Sequence, residues 1–191
     1  MKNKYILLRH GQTIYQARNW DIFYPDDNVV ELTKKGKEQI KSAAKKFKNK
    51  GINFIYSSDF KRTRQTSEIV SQELGLEVKF DKRLRDVEVG IFRGKRGEDF
   101  WALFSPKIKR FYKKPEKGES WRDAKKRLTD FISDVEKKHK NKKILIISHA
   151  DPIWLLLGFF KGLTEKELLK KRYTGKGGFW PDTGQFYEYN S

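Results

Sequence analysis

The chain of 191 residues contains no cysteine, which excludes disulfide bridges, thiolate zinc sites and cysteine nucleophiles. It also lacks a long apolar segment. The most apolar stretch, 152–160, is much shorter than the roughly 20 residues that a membrane-spanning helix requires. The apolar run before Arg9 is too short for a signal peptide. From these features we expect a soluble, cytoplasmic protein.

Acidic residues are in the minority: 43 lysines and arginines face 25 aspartates and glutamates, a formal net charge of +18. A positive field of this size raises the local concentration of anionic ligands and can support nonspecific binding to nucleic acid. However, the basic residues are spread along the whole chain, and no nucleic-acid-binding motif is present. We therefore interpret most of them as a solvated surface and do not expect a nucleic-acid partner.

Strand-like and helix-like patterns alternate along the sequence. Strands are predicted over 4–8, 53–58, 77–80, 143–147 and 185–189, and helices over 33–47, 60–75, 120–138 and 152–161. This order predicts a single α/β domain over 1–191, a three-layer sandwich with a mostly parallel central sheet and helices on both faces. The stretch 92–121 is less regular and rich in aromatic residues. It is predicted to be a small insertion that forms either an apolar lid or a satellite core.

Reactive side chains cluster directly after three predicted strands. Ligands collect beyond the carboxyl ends of strands in such sheets, so distant segments are expected to meet there. Taken singly, each histidine or arginine has an ordinary structural explanation, but two of the three histidines follow the most hydrophobic strands. Together they predict a pocket for anions, because guanidinium groups match phosphate oxygens. The groups are Arg9-His10-Gly11, Ser57-Ser58 with Arg62, and Ser148-His149.

The segment Leu8-Arg9-His10-Gly11-Gln12-Thr13 resembles the signature of the histidine phosphatase superfamily, the phosphoglycerate mutase-like proteins. Further segments resemble other motifs of that family, in the same order and through nearly the whole chain. These segments are 31–36, 56–66, 84–90 with Gly94, 118–120 and 147–150. The full set in order is far more specific than the first motif alone.

The resemblance implies a mechanism in which neutral His10 attacks the phosphorus of a monoester and forms a phosphohistidine. Arg9, Arg62 and a protonated His149 would hold the non-bridging oxygens. The turn at Gly11 would bring backbone amides close to the phosphate. No metal and no cofactor are implied. Gln16, where many relatives carry asparagine, has an expected role in orienting the substrate.

The general acid is less certain from the sequence, because the chain departs from the family pattern there. The family usually carries a glutamate two residues after the leucine of this motif, and here that position is Asp86. Glu88 lies two residues further on and would share a face with Asp86 in an extended segment. We favour Asp86 and keep Glu88 as the alternative. Asp151, directly after the second histidine, is a weaker candidate suggested by a distant acid-phosphatase branch.

A phosphohistidine can pass its phosphoryl group to water or back to a hydroxyl group of the substrate. The chain is short for a mutase of this family, so hydrolysis of a small phosphorylated substrate is favoured and a phosphoglycerate-type mutase is the alternative. A non-catalytic anion-binding or nucleic-acid-binding protein is a further alternative. A metal-dependent hydrolase is disfavoured, because no close cluster of His, Asp and Glu is evident in the sequence.

Overall fold

The computed structural model describes residues 1–172 and 179–190. Its strands are β1 Lys4–Arg9, β2 Phe54–Ser57, β3 Val78–Phe80, β4 Lys143–Ser148 and β5 Phe186–Tyr189. Its α-helices are α1 Ile14–Ala17, α2 Lys34–Phe47, α3 Lys61–Leu74, α4 Gly97–Ala102, α5 Trp121–Lys138, α6 Ala150–Phe160 and α7 Glu165–Arg172. Short 3-10 helices cover Lys82–Leu84, Gly90–Phe92 and Lys107–Phe111.

The strands form one sheet in the order β3-β2-β4-β1-β5. β1 to β4 run parallel, and β5 is antiparallel to β1. In the register, Arg9 lies opposite Ser148, and Ser57 lies opposite Ile147. The carboxyl ends of β1, β2 and β4 therefore meet at one edge of the sheet.

Apolar residues of the central strands point alternately to the two faces of the sheet, as the pleat requires. Tyr5 and Leu7 pack in one cluster with the buried faces of α5 and α6. Ile6 and Leu8 pack on the opposite face with α2 and α3. The predicted three-layer α/β sandwich is thereby confirmed. Within the described residues, no helix has both the length and the apolarity needed to cross a bilayer.

The segment 92–121 contains α4 and one of the 3-10 helices, which the aromatic-rich pattern did not predict. Phe92, Phe100 and Phe104 form a small cluster of their own, so this part is a satellite core. Phe111 and Trp121 are buried in the main core instead. Whether the segment acts as a lid stays a prediction.

The fourth predicted helix, α6, begins at Ala150, two residues earlier than the apolar pattern indicated. Pro152 therefore lies in its first turn, where a missing backbone N–H is tolerated because those N–H groups have no partner inside the helix. The helices α1, α4 and α7 were not predicted. Each is short, at 4, 6 and 8 residues.

Candidate active site

The two histidines predicted at the sheet edge lie side by side in the structure. His10 directly follows β1, and its backbone N–H donates to the carbonyl of Ser148 at 3.1 Å. His149 follows β4 and is the N-cap of α6. The centres of the two imidazole rings are 5.4 Å apart. Both side chains are buried.

The surroundings of His10 suit a neutral nucleophile. Its Nδ1 lies 2.8 Å from the carbonyl oxygen of Gly11, which can only accept, so Nδ1 carries the proton. In a neutral ring Nε2 then holds a lone pair. Burial, followed by the charges of Arg62 and Arg9, holds the pKa of His10 well below its usual value. The ring is therefore neutral near physiological pH.

His149 is fixed through one ring nitrogen and leaves the other without a partner. Its Nε2 lies 2.9 Å from the hydroxyl of Ser58, and its buried Nδ1 has no hydrogen bond. Burial, and then the charge of Arg62, lowers the pKa of His149 well below its usual value. The protonated form implied by the family resemblance is thus disfavoured by the protein itself. Only a nearby anion, such as a phosphoryl group, would favour it.

Arg62 lies in the first turn of α3 with a fully buried side chain. Its Nη1 donates to Oδ1 of Asp27 at 2.5 Å, and its guanidinium lies 4.4 Å from the ring centre of Tyr24. Asp27 also accepts from Nη1 of Arg93 at 2.6 Å through its other oxygen. This ion pair fixes the orientation of the Arg62 guanidinium. Its other two nitrogens, Nε and Nη2, are left available to bind another group.

Six buried side-chain nitrogen or oxygen atoms in the described part of the chain have no hydrogen-bond partner, and four of them belong to this site. They are Nε of Arg9, Nε and Nη2 of Arg62, and Nδ1 of His149. Buried donors without partners are rare in native structures, because leaving one unpaired costs roughly 1–3 kcal/mol. Their concentration around His10 indicates a site built to receive an anion.

Asp86 lies next to these donors. Its Oδ2 is 3.6 Å from Nη2 of Arg62 and 3.9 Å from Nδ1 of His149. Burial raises the pKa of Asp86 to about 6; Arg62 opposes this shift, and the charges of Asp151 and Asp27 add to it. A carboxyl group with this pKa can both give and take a proton near neutral pH.

His10, Arg9 and Asp86 open into a cavity of about 580 Å³. This volume is much larger than a phosphoryl group requires, so the cavity has room for the rest of a substrate. Within the residues that the structure describes, no three His, Asp or Glu side chains are grouped so that they could hold a metal ion.

The sequence matches the model of the histidine phosphatase superfamily (branch 1) over residues 5–175. This match covers most of the chain and includes every residue of the site described above. The chain belongs to the histidine phosphatase superfamily. The resemblance in its sequence motifs is thereby confirmed.

Several named members of the superfamily are similar to this chain. Phosphoserine phosphatase 1 of Hydrogenobacter thermophilus is 28% identical over 157 residues, 78% of this chain and 72% of that protein. The 2,3-bisphosphoglycerate-dependent phosphoglycerate mutase of Thermoplasma acidophilum is 29% identical over 163 residues, 85% of this chain and 78% of that protein. Among solved structures, a mycobacterial glucosyl-3-phosphoglycerate phosphatase matches with a TM-score of 0.82 at 20% identity, covering 98% of this chain and 90% of that one. The α-ribazole phosphatase of Shigella flexneri matches with a TM-score of 0.80 at 20% identity, with the same coverage.

Glu88, the alternative acid of this histidine phosphatase, is directed away from His10. Both of its oxygens accept from Arg93, at 2.9 Å from Nε and 2.6 Å from Nη2, and Oε1 also accepts from the backbone N–H of Gly90. Asp86 and Glu88 both line a neighbouring cavity with Arg85 and Arg93, but only Asp86 of the two also lines the cavity that contains His10. Asp151 does line the cavity, but its Oδ1 is 2.5 Å from Nη1 of Arg172.

Gly11 directly follows His10, and its expected role of bringing backbone amides close to a phosphate stays a prediction. Its own backbone N–H donates to the hydroxyl of Thr66 at 3.3 Å. A Cβ at this position would lie 2.5 Å from the carbonyl oxygen of Gly36, so the glycine permits close packing against the start of α2. Gln16 lines the cavity, and its amide also bonds Thr13 and Tyr24, which closes the first turn of α1.

Asp27, Tyr24 and Arg93 complete the site, and no role in it was predicted for Asp27 or Tyr24. All three lie in irregular segments, where side-chain direction depends on the path of the loop. The only sequence signal was the aromatic and acidic character of the stretch before Val30. That character is equally common in exposed loops, so it did not indicate a functional role.

Proposed function

We propose that this histidine phosphatase hydrolyses phosphomonoesters through a phosphohistidine on His10. The observation that carries the proposal is the group of unpartnered buried nitrogens, the guanidinium donors of Arg9 and Arg62 and Nδ1 of His149, beside a neutral imidazole with a free Nε2. Such fixed donors stabilise the charge on the equatorial oxygens of a phosphoryl group in transfer. The proposed substrate is a small phosphorylated molecule.

In the first step, the lone pair of His10 Nε2 forms the nitrogen–phosphorus bond while the bond from phosphorus to the ester oxygen breaks. Asp86, in its protonated form, gives its proton to that oxygen, and a neutral alcohol leaves. In the second step, the Asp86 carboxylate takes a proton from water as the water oxygen attacks phosphorus. The nitrogen–phosphorus bond breaks, inorganic phosphate leaves, and both His10 and Asp86 return to their starting forms.

Hydrolysis is favoured over a mutase reaction by the exposure of the acid. Asp86 lies below the protein surface, which raises its pKa, but 34% of its side chain remains exposed in the cavity, so water can reach the carboxylate. A mutase has to keep water away from the phosphohistidine until the alcohol is phosphorylated again. The Thermoplasma relative that is named a phosphoglycerate mutase keeps this alternative open to test.

The test is hydrolysis of a panel of phosphomonoesters in the presence of chelator, by the wild-type protein and by His10→Ala. We expect turnover and an acid-labile phosphoenzyme from the wild type, and neither from His10→Ala. His139→Gln is the matched control, because His139 lies away from the site, against Phe54 and Tyr56. Turnover retained by His10→Ala, or lost on chelation, would overturn the mechanism.

We further propose that the protein acts in the cytoplasm and that nucleic acid is not its partner. Arg85 and Arg93, which line a neighbouring cavity together with Asp86, are paired with Asp59 and with Asp27 and Glu88, respectively. They are therefore not presented to a phosphate backbone. Salt-dependent retention on DNA in the absence of ester hydrolysis would contradict this proposal.

A further inference from the structure

Aromatic rings form a large part of the cavity beyond His10: six of the sixteen described residues that line it are tyrosine, tryptophan or phenylalanine. One group comes from the loop after β1, and Trp101 and Trp180 come from two later segments of the chain. Trp20 is the most exposed of these rings, at 43%. The lining aromatic residues are Tyr15, Trp20, Phe23, Tyr24, Trp101 and Trp180.

These rings are held in place by contacts with one another and with fixed neighbours. Tyr15 meets Trp20 and Tyr24 edge to face, with ring centres 5.2 and 4.6 Å apart. The guanidinium of Arg172 lies 3.6 Å from the ring centre of Trp180. An aromatic wall that is already ordered binds a flat apolar group at a low cost in conformational entropy.

Each positively charged side chain that lines the cavity is either paired with an acidic residue or already assigned to the phosphate site. Arg9 and Arg172 are the cationic residues among the described residues that line it. Arg9 belongs to the proposed phosphate site, and Arg172 is paired with Asp151. Asp21 also lines the cavity and adds negative charge. A substrate with a second anionic group, such as a carboxylate, would therefore be placed beside carboxylates and aromatic rings.

We propose that the substrate of this site is a phosphomonoester with an aromatic, uncharged leaving group. The proposal rests on the proposed function, because the same His10 must transfer the phosphoryl group. It sets this chain apart from relatives whose names refer to phosphoserine or phosphoglycerate, since those substrates carry a carboxylate. In the first step, the bond from phosphorus to the ester oxygen breaks, and the aromatic alcohol leaves with the proton of Asp86.

The experiment compares kcat/KM for benzyl phosphate, ethyl phosphate, phosphoserine and 3-phosphoglycerate. Benzyl phosphate, ethyl phosphate and phosphoserine all release an oxygen bonded to a CH2 group. Differences in kcat/KM among them therefore report mainly on how the rest of the leaving alcohol is bound. We expect benzyl phosphate to be preferred over each of the others by at least about tenfold, from the usual strength of aromatic stacking. In every case the turnover should disappear in His10→Ala.

Trp20→Ala tests directly whether the aromatic side chains of the cavity bind the leaving group, because this exposed ring can be removed without opening the core. The preference for benzyl over ethyl phosphate is expected to fall about threefold to tenfold. Tyr112→Ala is the matched control, because Tyr112 is 57% exposed and does not line the cavity. The Tyr112→Ala variant is expected to prefer benzyl over ethyl phosphate by the same factor as the wild type.

The outcomes separate this inference from the proposed function. If His10-dependent turnover is as fast on ethyl phosphate as on benzyl phosphate, or faster on phosphoserine or 3-phosphoglycerate, the aromatic subsite is refuted and the phosphatase stands. An unchanged preference in Trp20→Ala also refutes the subsite. If no ester gives His10-dependent turnover, the proposed function fails and the inference fails with it.

Discussion

The assignment of Asp86 as general acid predicts that the enzyme loses activity on alkyl esters as the pH rises above about 6. Burial is the main reason that the pKa of this carboxyl is raised to about 6. The acid must be protonated to serve an alkoxide leaving group. An activated ester such as 4-nitrophenyl phosphate needs no such proton, because its leaving group is already a stable anion.

The size of the effect follows from the pKa. With a pKa of about 6, roughly nine-tenths of Asp86 is protonated at pH 5 and roughly a tenth at pH 7. The ratio of kcat/KM for ethyl phosphate to that for 4-nitrophenyl phosphate should therefore fall about tenfold between these two values. The pKa of His10 lies well below its usual value, so protonation of the nucleophile does not offset this trend.

The assay is the pH profile of kcat/KM for both esters, since this constant reports on the free enzyme. The phosphate group of ethyl phosphate loses its second proton at a higher pH than that of 4-nitrophenyl phosphate, so kcat/KM is first expressed for the same ionic form of each ester. In Asp86→Asn the ratio should become independent of pH, and kcat/KM for ethyl phosphate should fall by about 10²–10⁴. Glu88→Gln serves as the comparison variant. Equal losses in the two variants, or a pH-dependent ratio that survives in Asp86→Asn, would refute the assignment.

Two other variants test the structure around this acid. Burial raises the pKa of Asp86 most and the charge of Asp27 adds to it, so Asp27→Asn should move the fall in the same pH profile to lower pH; a move to higher pH would contradict the charge argument. Gly11→Ala would place a Cβ 2.5 Å from a backbone oxygen of Gly36, so overpacking should lower the free energy of unfolding by about 1–3 kcal/mol. Thermal unfolding followed by circular dichroism should then show a Tm about 2–12 °C lower, and an unchanged Tm would mean that the backbone moves aside at no cost.

The fold and the meeting of His10 with His149 were accessible from the sequence, because both depend on strand order. An apolar strand followed by a polar group places that group at the carboxyl edge of the sheet, whatever the details of the loops. The alternation of Ile6 and Leu8 with their neighbours likewise predicted helices on both faces. These conclusions need only the periodicity of the chain and the rule for parallel sheets.

Side-chain pairing within loops was not accessible in the same way. The pattern favoured Asp86 over Glu88 only on its position in the motif, and in the structure both oxygens of Glu88 accept from Arg93. His139 lies in a lysine-rich run that suggests full exposure, yet its ring stacks on Phe54 at 4.1 Å. Such contacts depend on where the loop or helix end approaches the sheet, which no local pattern records.

The position of β1 in the sheet also has a consequence for the order of folding. Its only partners in the sheet are β4 and β5, so Lys4 pairs with Lys143 and Leu8 pairs with Phe186. The strand that carries Arg9 and leads to His10 therefore stays unpaired during synthesis until most of the chain has been made. Pairings between such distant segments form slowly, because closing a long loop costs conformational entropy before any stabilising contact is made. His10 is thus synthesised well before the two strands, β4 and β5, that hold β1 in its final place.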